Sequence, residues 1–309
     1  METNEPVMQV KNVSKVLGEK RAVNNVNFDL YPGEVFGLLG PNGAGKTTAI
    51  RMMVGLISMT EGQVLIKGAS IDKDFEEAIS HVGAIVENPE MYDYLTGHQN
   101  LLHYARMAGD VSEKRMYEII ELVGLENTID NKVKTYSLGM RQRLGLAQAL
   151  VHSPALLILD EPTNGLDPEG IREFRQHLKK LTQEEGMAVL VSSHLLAEME
   201  LMCDRVGIIH HGKLLTVQSI HDFGEPEKDL VVSMTVDRVD IADQAFKHTF
   251  PKHSCEVQEK TIDVRIDDEQ IPQVIKCFVE NDVNIYRVRT KAKTLEDTFL
   301  EWTGGQQIV

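Results

Sequence analysis

Gly40–Thr48 reads GPNGAGKTT, with the spacing G-x-x-x-x-G-K-[ST]. It follows the apolar run Glu34–Leu39 (EVFGLL), which reads as a strand, and precedes Ala49–Leu56, which reads as a helix. Strand, loop and helix in that order are the context a phosphate-binding loop requires. Gly40, Gly43 and Gly45, with Pro41, Asn42 and Ala44 between them, let the backbone curl so that several N–H groups point inward. The helix that follows adds the positive end of its dipole. Lys46 supplies a point charge for β- and γ-phosphates. Thr47, followed by Thr48, supplies a hydroxyl for a magnesium ion. Glycine-rich turns between strand and helix are common in α/β proteins. Here three glycines, the lysine and the threonine all fall at the required offsets.

The bulk properties narrow the class. A chain of 309 residues can build one large domain or two modest ones. The net charge of −15 argues against nonspecific nucleic-acid binding, which needs a basic footprint. It leaves a nucleotide site open, because the field at a phosphate loop is set locally. Cys203, Cys255 and Cys277 are widely spaced and form no C-x-x-C pair, so they read as reduced thiols of a cytosolic protein. The opening METNEPVMQV has neither the basic nor the apolar part of a secretory leader. No apolar run approaches the length that crosses a bilayer. Any membrane crossing is expected to fall to another chain.

Residues 7–31 alternate as strands do and read as an antiparallel hairpin beside the phosphate loop. Short strands at Gln63–Ile66 and Val82–Val86 flank a short helix at 75–80. Residues 96–152 are mostly helical by pattern, with Thr96 and Ser112 as N-caps, and read as an insert in an α/β domain. Strand and helix then alternate again: strand Ala155–Leu159, helix 168–185, strand Ala188–Ser192, helix 195–202 and strand Val206–His210. Lys213–Val217 reads as a last strand of this part. From about residue 221, after a linker at Phe223–Pro226, the order reads βαββαβ, which suggests a small ferredoxin-like α+β domain. A terminal helix, Thr294–Trp302, puts Leu295, Phe299 and Trp302 on one face.

Two further constellations carry chemistry. The apolar strand LLILDE (156–161) delivers Asp160 to the end of a sheet strand, where it can hold magnesium. Glu161 follows and can orient or deprotonate an attacking water. In YSLGMRQRLGLAQAL (136–150), Ser137 and Gly139 stand just before a helix. By themselves they read as an N-cap, and a second anion site is the alternative.

Taken together these motifs resemble the nucleotide-binding subunit of an ATP-binding cassette (ABC) transporter, over residues 7–220. Walker A is GPNGAGKT at 40–47, the signature YSLGMRQR at 136–143, and Walker B LLILDE at 156–161. The D-loop is NGLDP at 164–168, and the switch histidine is His194 in SSH. The resemblance implies an α/β P-loop NTPase cassette, with a mixed sheet, an antiparallel β subdomain and a helical insert at about 88–152. This cassette would span 1–220, with 221–309 as an accessory domain. It further implies ATP and Mg2+ as ligands and a head-to-tail dimer with a second copy of the cassette. Each ATP would lie between one copy's Walker A and the other's signature. His194 is implied to contact the γ-phosphate, and Asp167 to communicate across the dimer.

Two positions depart from the family pattern. Leu17 stands where an aromatic ring usually stacks on adenine, forgoing about 0.5–1.5 kcal/mol. Leu17 and Val23 are left to offer apolar contact, so reduced base selectivity is expected. Glu87 replaces the glutamine that touches magnesium and the attacking water, and a carboxylate beside phosphates costs more than an amide. That replacement, and the ending TLEDTFLEW (294–302), resemble the bacitracin- and lantibiotic-resistance and drug exporters. Met91–Tyr94 reads equally as a docking neighbourhood for a membrane partner or as core packing for the insert. The expected function is the ATPase of an exporter, cytoplasmic and peripheral at the inner face of the membrane through polytopic permease subunits. Two alternatives stand: a non-transport ABC ATPase, and a regulatory ATP-binding module.

Overall fold

The computed structural model describes residues 5–109, 111–220, 230–251 and 253–291. The chain divides into two compact units, one running to Ile220 and a second beyond it.

The first unit opens with β1 (Met8–Leu17) and β2 (Lys20–Leu30), an antiparallel hairpin. Next come β3 (Val35–Leu39), the phosphate loop and α1 (Lys46–Met53). The sequence pattern carries that helix to Leu56. It ends at Met53 because Gly55 turns left-handed, at φ 73°. β4 (Glu61–Ile66), β5 (Ala69–Ser70), α2 (Phe75–Ser80) and β6 (Val82–Ile85) follow. The insert holds α3 (Gly97–Ala108), α4 (Glu113–Leu122) and α5 (Leu138–Leu150). Its helix starts are set locally. Thr96 forms a capping box with Gln99, and Ser112 accepts from the Arg115 N–H at 3.1 Å. β7 (Leu156–Asp160), α6 (Pro168–Glu185), β8 (Ala188–Ser193), α7 (Leu196–Met202), β9 (Arg205–His210) and β10 (Lys213–Ser219) complete the unit.

Two sheets result. β2-β1-β4-β5 is antiparallel. In β10-β9-β3-β8-β7-β6 every neighbouring pair is parallel except β10 with β9. Every residue of β3, β7 and β8 is buried, as strands covered on both faces must be, and this is why they read as apolar runs up to the polar ends of β7 and β8. One apolar core joins the two sheets and α1, with Phe28 of β2 stacked on Phe36 of β3 at 4.8 Å. The register aligns Leu39 with Ser193, and Asp160 with Ser192. The carboxyl ends of β3, β7 and β8 therefore meet at one edge, the place where ligands bind in parallel sheets.

The second unit runs β11 (Leu230–Val236), α8 (Val239–Thr249), β12 (Cys255–Gln258), β13 (Thr261–Ile266), α9 (Ile271–Glu280) and β14 (Ile285–Lys291). The strand order is β12-β13-β11-β14, with antiparallel neighbours throughout. Its own core packs Val232, Met234, Ile262 and Val264 against Phe246 and Phe278. The sequence reads 268–281 as one helix. Instead a 3-10 turn at Asp268–Gln270 precedes α9, because Pro272 has no N–H to donate to the Asp268 carbonyl. The linker at Phe223–Pro226 and the helix expected at Thr294–Trp302 lie outside the described residues.

Candidate functional site

The phosphate loop is shaped by close backbone approach. A Cβ on Gly40 would collide with the Ile209 carbonyl, and one on Gly45 would lie 2.7 Å from the Ala22 carbonyl. Gly45 also holds φ 109°, where L side chains are strained. The loop borders a cleft of about 570 Å3, lined on one side by Asn42, Gly43, Gly45, Lys46, Thr47 and Thr48. Leu17, Lys20, Arg21 and Ala22 of the hairpin, Glu161, Asn164, and the His211-Gly212 turn line the rest. Gly40, Pro41 and Ala44 are absent from that lining. Ala44 is buried in the core, and Gly40 and Pro41 turn their carbonyls to Lys46.

Lys46 is the hub of the cleft. It is buried, and its Nζ donates to Gly40 O at 2.7 Å and Pro41 O at 3.3 Å. The same Nζ lies 3.1 Å from Glu161 Oε1, while Glu161 Oε2 accepts from His194 Nδ1 at 2.7 Å. An ammonium, a carboxylate and an imidazole thus form one line across the ends of β3, β7 and β8. Glu161 holds a left-handed backbone, φ 49°, on the turn out of β7. Strain of this kind is kept where surrounding structure enforces it, typically at working sites.

Beneath this line Asp160 is buried, and its Oδ1 accepts from Ser192 Oγ at 2.6 Å. The same Oγ accepts from the Glu161 N–H at 2.9 Å. Ser192 therefore fixes both acidic residues, a role the sequence reading did not assign. The only signal was its place in the SSH motif, because its partners lie far upstream in the chain. Thr47 and Asp160 are hard oxygen donors of the kind Mg2+ prefers. Among the described residues no group of three or more His, Cys, Asp or Glu side chains gathers to cage a metal. That donor set fits an ion held chiefly by substrate phosphates and water, with one or two protein oxygens.

Two expected contacts fall elsewhere. Val23 is fully buried in the core, because its position on β2 points away from the cleft, so it offers no surface to a base. Leu17 does line the cleft and is half exposed. Glu87 is not part of the cleft lining. Its carboxylate pairs with Arg51 on α1, which captures it by opposite charge at the surface.

The signature residues border a separate cavity of about 360 Å3, together with Gly165, Leu166 and Asp167. This cavity and the Lys46 cleft share no lining residue. Ser137 caps α5 by accepting from the Met140 N–H at 3.2 Å, and Asp167 caps α6 by accepting from Gly170 at 2.8 Å. Gly139 stands in the open first turn of α5, with Leu166 3.8 Å from where its Cβ would be. A third cavity, about 820 Å3, opens between β6 and the insert and is lined by Val86, Pro89, Tyr104 and Met107 among others. Tyr92 and Tyr94 are more than half exposed, so they do not fill the insert's core.

The profile of the ABC transporter family matches residues 23–164. The chain is 51% identical over 300 residues to the uncharacterized ABC transporter ATP-binding protein YhcH of Bacillus subtilis (strain 168), covering 96% of each chain. It is 39% identical over 304 residues to the bacitracin transport ATP-binding protein BcrA of Bacillus licheniformis, covering 98% of this chain and 99% of BcrA. Of solved structures, the dimeric structure of MJ0796, a bacterial ABC transporter cassette, matches with TM-score 0.63 and 28% identity. That match covers 69% of this chain and 98% of MJ0796. Kinship along nearly its whole length, and a cleft whose buried lysine meets a carboxylate at the sheet edge, make this chain a member of the ABC transporter ATP-binding subunits, which are ATPases.

Proposed function

We propose that two copies of this chain dock head to tail around two MgATP molecules. Hydrolysis then drives export of an antimicrobial peptide or other amphipathic drug through separate polytopic permease subunits. The single observation that carries the shared-site reading is the separation of the Lys46 cleft from the signature cavity, which have no residue in common. Within one copy Ser137 and Gly139 have no phosphate to meet. Across a two-fold axis each copy would offer its signature surface to the other's Lys46 cleft. The kinship to BcrA supports the export of a peptide antibiotic.

The chemistry follows from the line of charges. The loop N–H groups and Lys46 bind the β- and γ-phosphates. Magnesium, when bound, neutralises phosphate charge, and the Thr47 hydroxyl and the Asp160 carboxylate would hold it. Phosphate competes for Lys46 and so releases Glu161 Oε1 to accept a proton from the attacking water. His194, its Nδ1 proton held by Glu161, presents its other nitrogen to the γ-phosphate. Ser137 and Gly139 of the second copy close the site with the N-terminus of α5, and Asp167 lies beside them to relay its state. In this reading residues 1–220 form the cassette and 221–309 an accessory domain. The chain sits at the inner face of the membrane through its permeases; no described helix is long and apolar enough to cross a bilayer.

Complementation tests the reading. Lys46→Ala and Ser137→Arg copies are each expected to be inactive. Mixed, they form heterodimers with one intact composite site, and about a quarter of parental phosphate release returns on statistical grounds. No recovery on mixing, with both variants folded, removes the shared site.

A further inference from the structure

Leu17 withholds the ring that the hairpin was expected to give the base. The cleft supplies another. Among the described residues lining it, His211 is the only one with an aromatic ring, and Leu17 and Ala22 line the same cleft. His211 is exposed, while its neighbour His210 packs a ring against it, 4.0 Å between centroids and tilted by 54°.

The turn that carries His211 is held by two backbone hydrogen bonds of its neighbour Gly212. The Gly212 N–H donates to Ala44 O of the phosphate loop at 2.8 Å. The Gly212 carbonyl accepts from the Asn24 N–H of β2, also at 2.8 Å. His211 itself holds φ 47°, so the turn has one backbone shape. The backbone beside His211 is thus bonded to the phosphate loop on one side and to the hairpin on the other, which places the imidazole at the rim of the cleft.

We propose that the His211 imidazole is the platform on which the purine of ATP rests, in place of the ring missing at Leu17. The proposal rests on the reading that the triphosphate occupies the Lys46 cleft. Stacking acts on any flat base, so His211 contributes affinity for purine nucleotides with little choice between adenine and guanine.

The experiment compares ATP with inorganic tripolyphosphate, which fills the phosphate loop and has no base. Asparagine tolerates the left-handed backbone and removes the ring, so His211→Asn is the variant of choice. It is expected to raise the Kd for MgATP about three- to tenfold and to leave the Kd for tripolyphosphate unchanged. Leu17→Tyr in the His211→Asn background is expected to restore ATP affinity. In the unsubstituted chain, the His211 ring-proton resonances are expected to shift on addition of ATP and to stay in place with tripolyphosphate. Unchanged ATP affinity in His211→Asn overturns the proposal. An equal loss for both ligands also overturns it, since that is the mark of a merely structural turn. If ATP binds the parent chain but tripolyphosphate does not compete with it, the cleft reading itself falls.

Discussion

The Lys46 cleft and the signature surface of the first unit are built in opposite ways. The Lys46 cleft is woven from distant parts of the chain: Lys46, Glu161 and His194 are linked side chain to side chain over a buried Asp160. The signature surface is local. Ser137 and Asp167 each do no more than cap the helix that follows them. Side chains that meet one another within a single chain can be organised by long-range contacts. A surface proposed to act on a second copy needs only its own helix to hold it. The difference predicts that damage to the cleft strikes chemistry in a single copy, and damage to the signature strikes association.

The sharpest way to break this contrast is Glu161→Gln. The amide can still reach Lys46 and His194 but cannot take a proton. Turnover is expected to fall about 10²- to 10⁴-fold while ATP still binds, and gel filtration in MgATP should show a persistent dimer. Undiminished phosphate release would remove Glu161 as the base and leave the line of charges a purely structural pairing.

Ser192→Ala comes next. It deletes the hydroxyl that donates to Asp160 and accepts from the Glu161 N–H, both within a buried site. A loss of about 1–3 kcal/mol in denaturant unfolding is expected. Magnesium-dependent turnover should drop about ten- to a hundredfold, as when a group that orients a metal ligand is lost. If melting and magnesium titration match the parent, the cleft is not held by this bridge.

What the sequence could reveal follows the same contrast. The phosphate loop, LLILDE and the caps at Thr96, Ser112 and Ser137 are legible because neighbours in sequence determine them. Ser192 is not, because its partners are 31 and 32 residues away and meet it only through strand pairing. From sequence alone, Val23 is expected to offer the base apolar contact beside Leu17. Alternation along β2 shows that some positions face inward, but the packing of two sheets decides which. Motif position alone points Glu87 towards magnesium. Its pairing with Arg51, 36 residues upstream, depends on where α1 runs.

Ser137→Ala tests the other half of the comparison. Removing the cap is expected to cost about 1 kcal/mol of stability. ATP affinity of a single copy should not change, and ATP-driven dimerisation, followed by sedimentation, should weaken. A fall in single-copy affinity would mean that the two cavities communicate inside one chain and that the contrast is overdrawn.

The smallest effect on the isolated chain is expected for Glu87→Gln, and it bears on how the two surfaces are joined to a membrane partner. Glu87 and Arg51 are both substantially exposed, so their pairing contributes about 0–1 kcal/mol. Yet Arg51 lies on α1, the helix that begins with Lys46 and Thr47, and Glu87 follows β6 at the edge of the cavity lined by Val86 and Pro89. The pair therefore ties the start of the insert to the helix that holds the phosphates. Neutralising Glu87 keeps a hydrogen-bonding group but weakens that tie. Basal phosphate release by the isolated chain should stay within about twofold of the parent, in keeping with a pair of this strength. Peptide resistance in cells carrying the permease partners should fall. If both are unchanged, Glu87 is a tolerated replacement, and coupling runs through the neighbouring Tyr92 and Tyr94 surface or the insert alone.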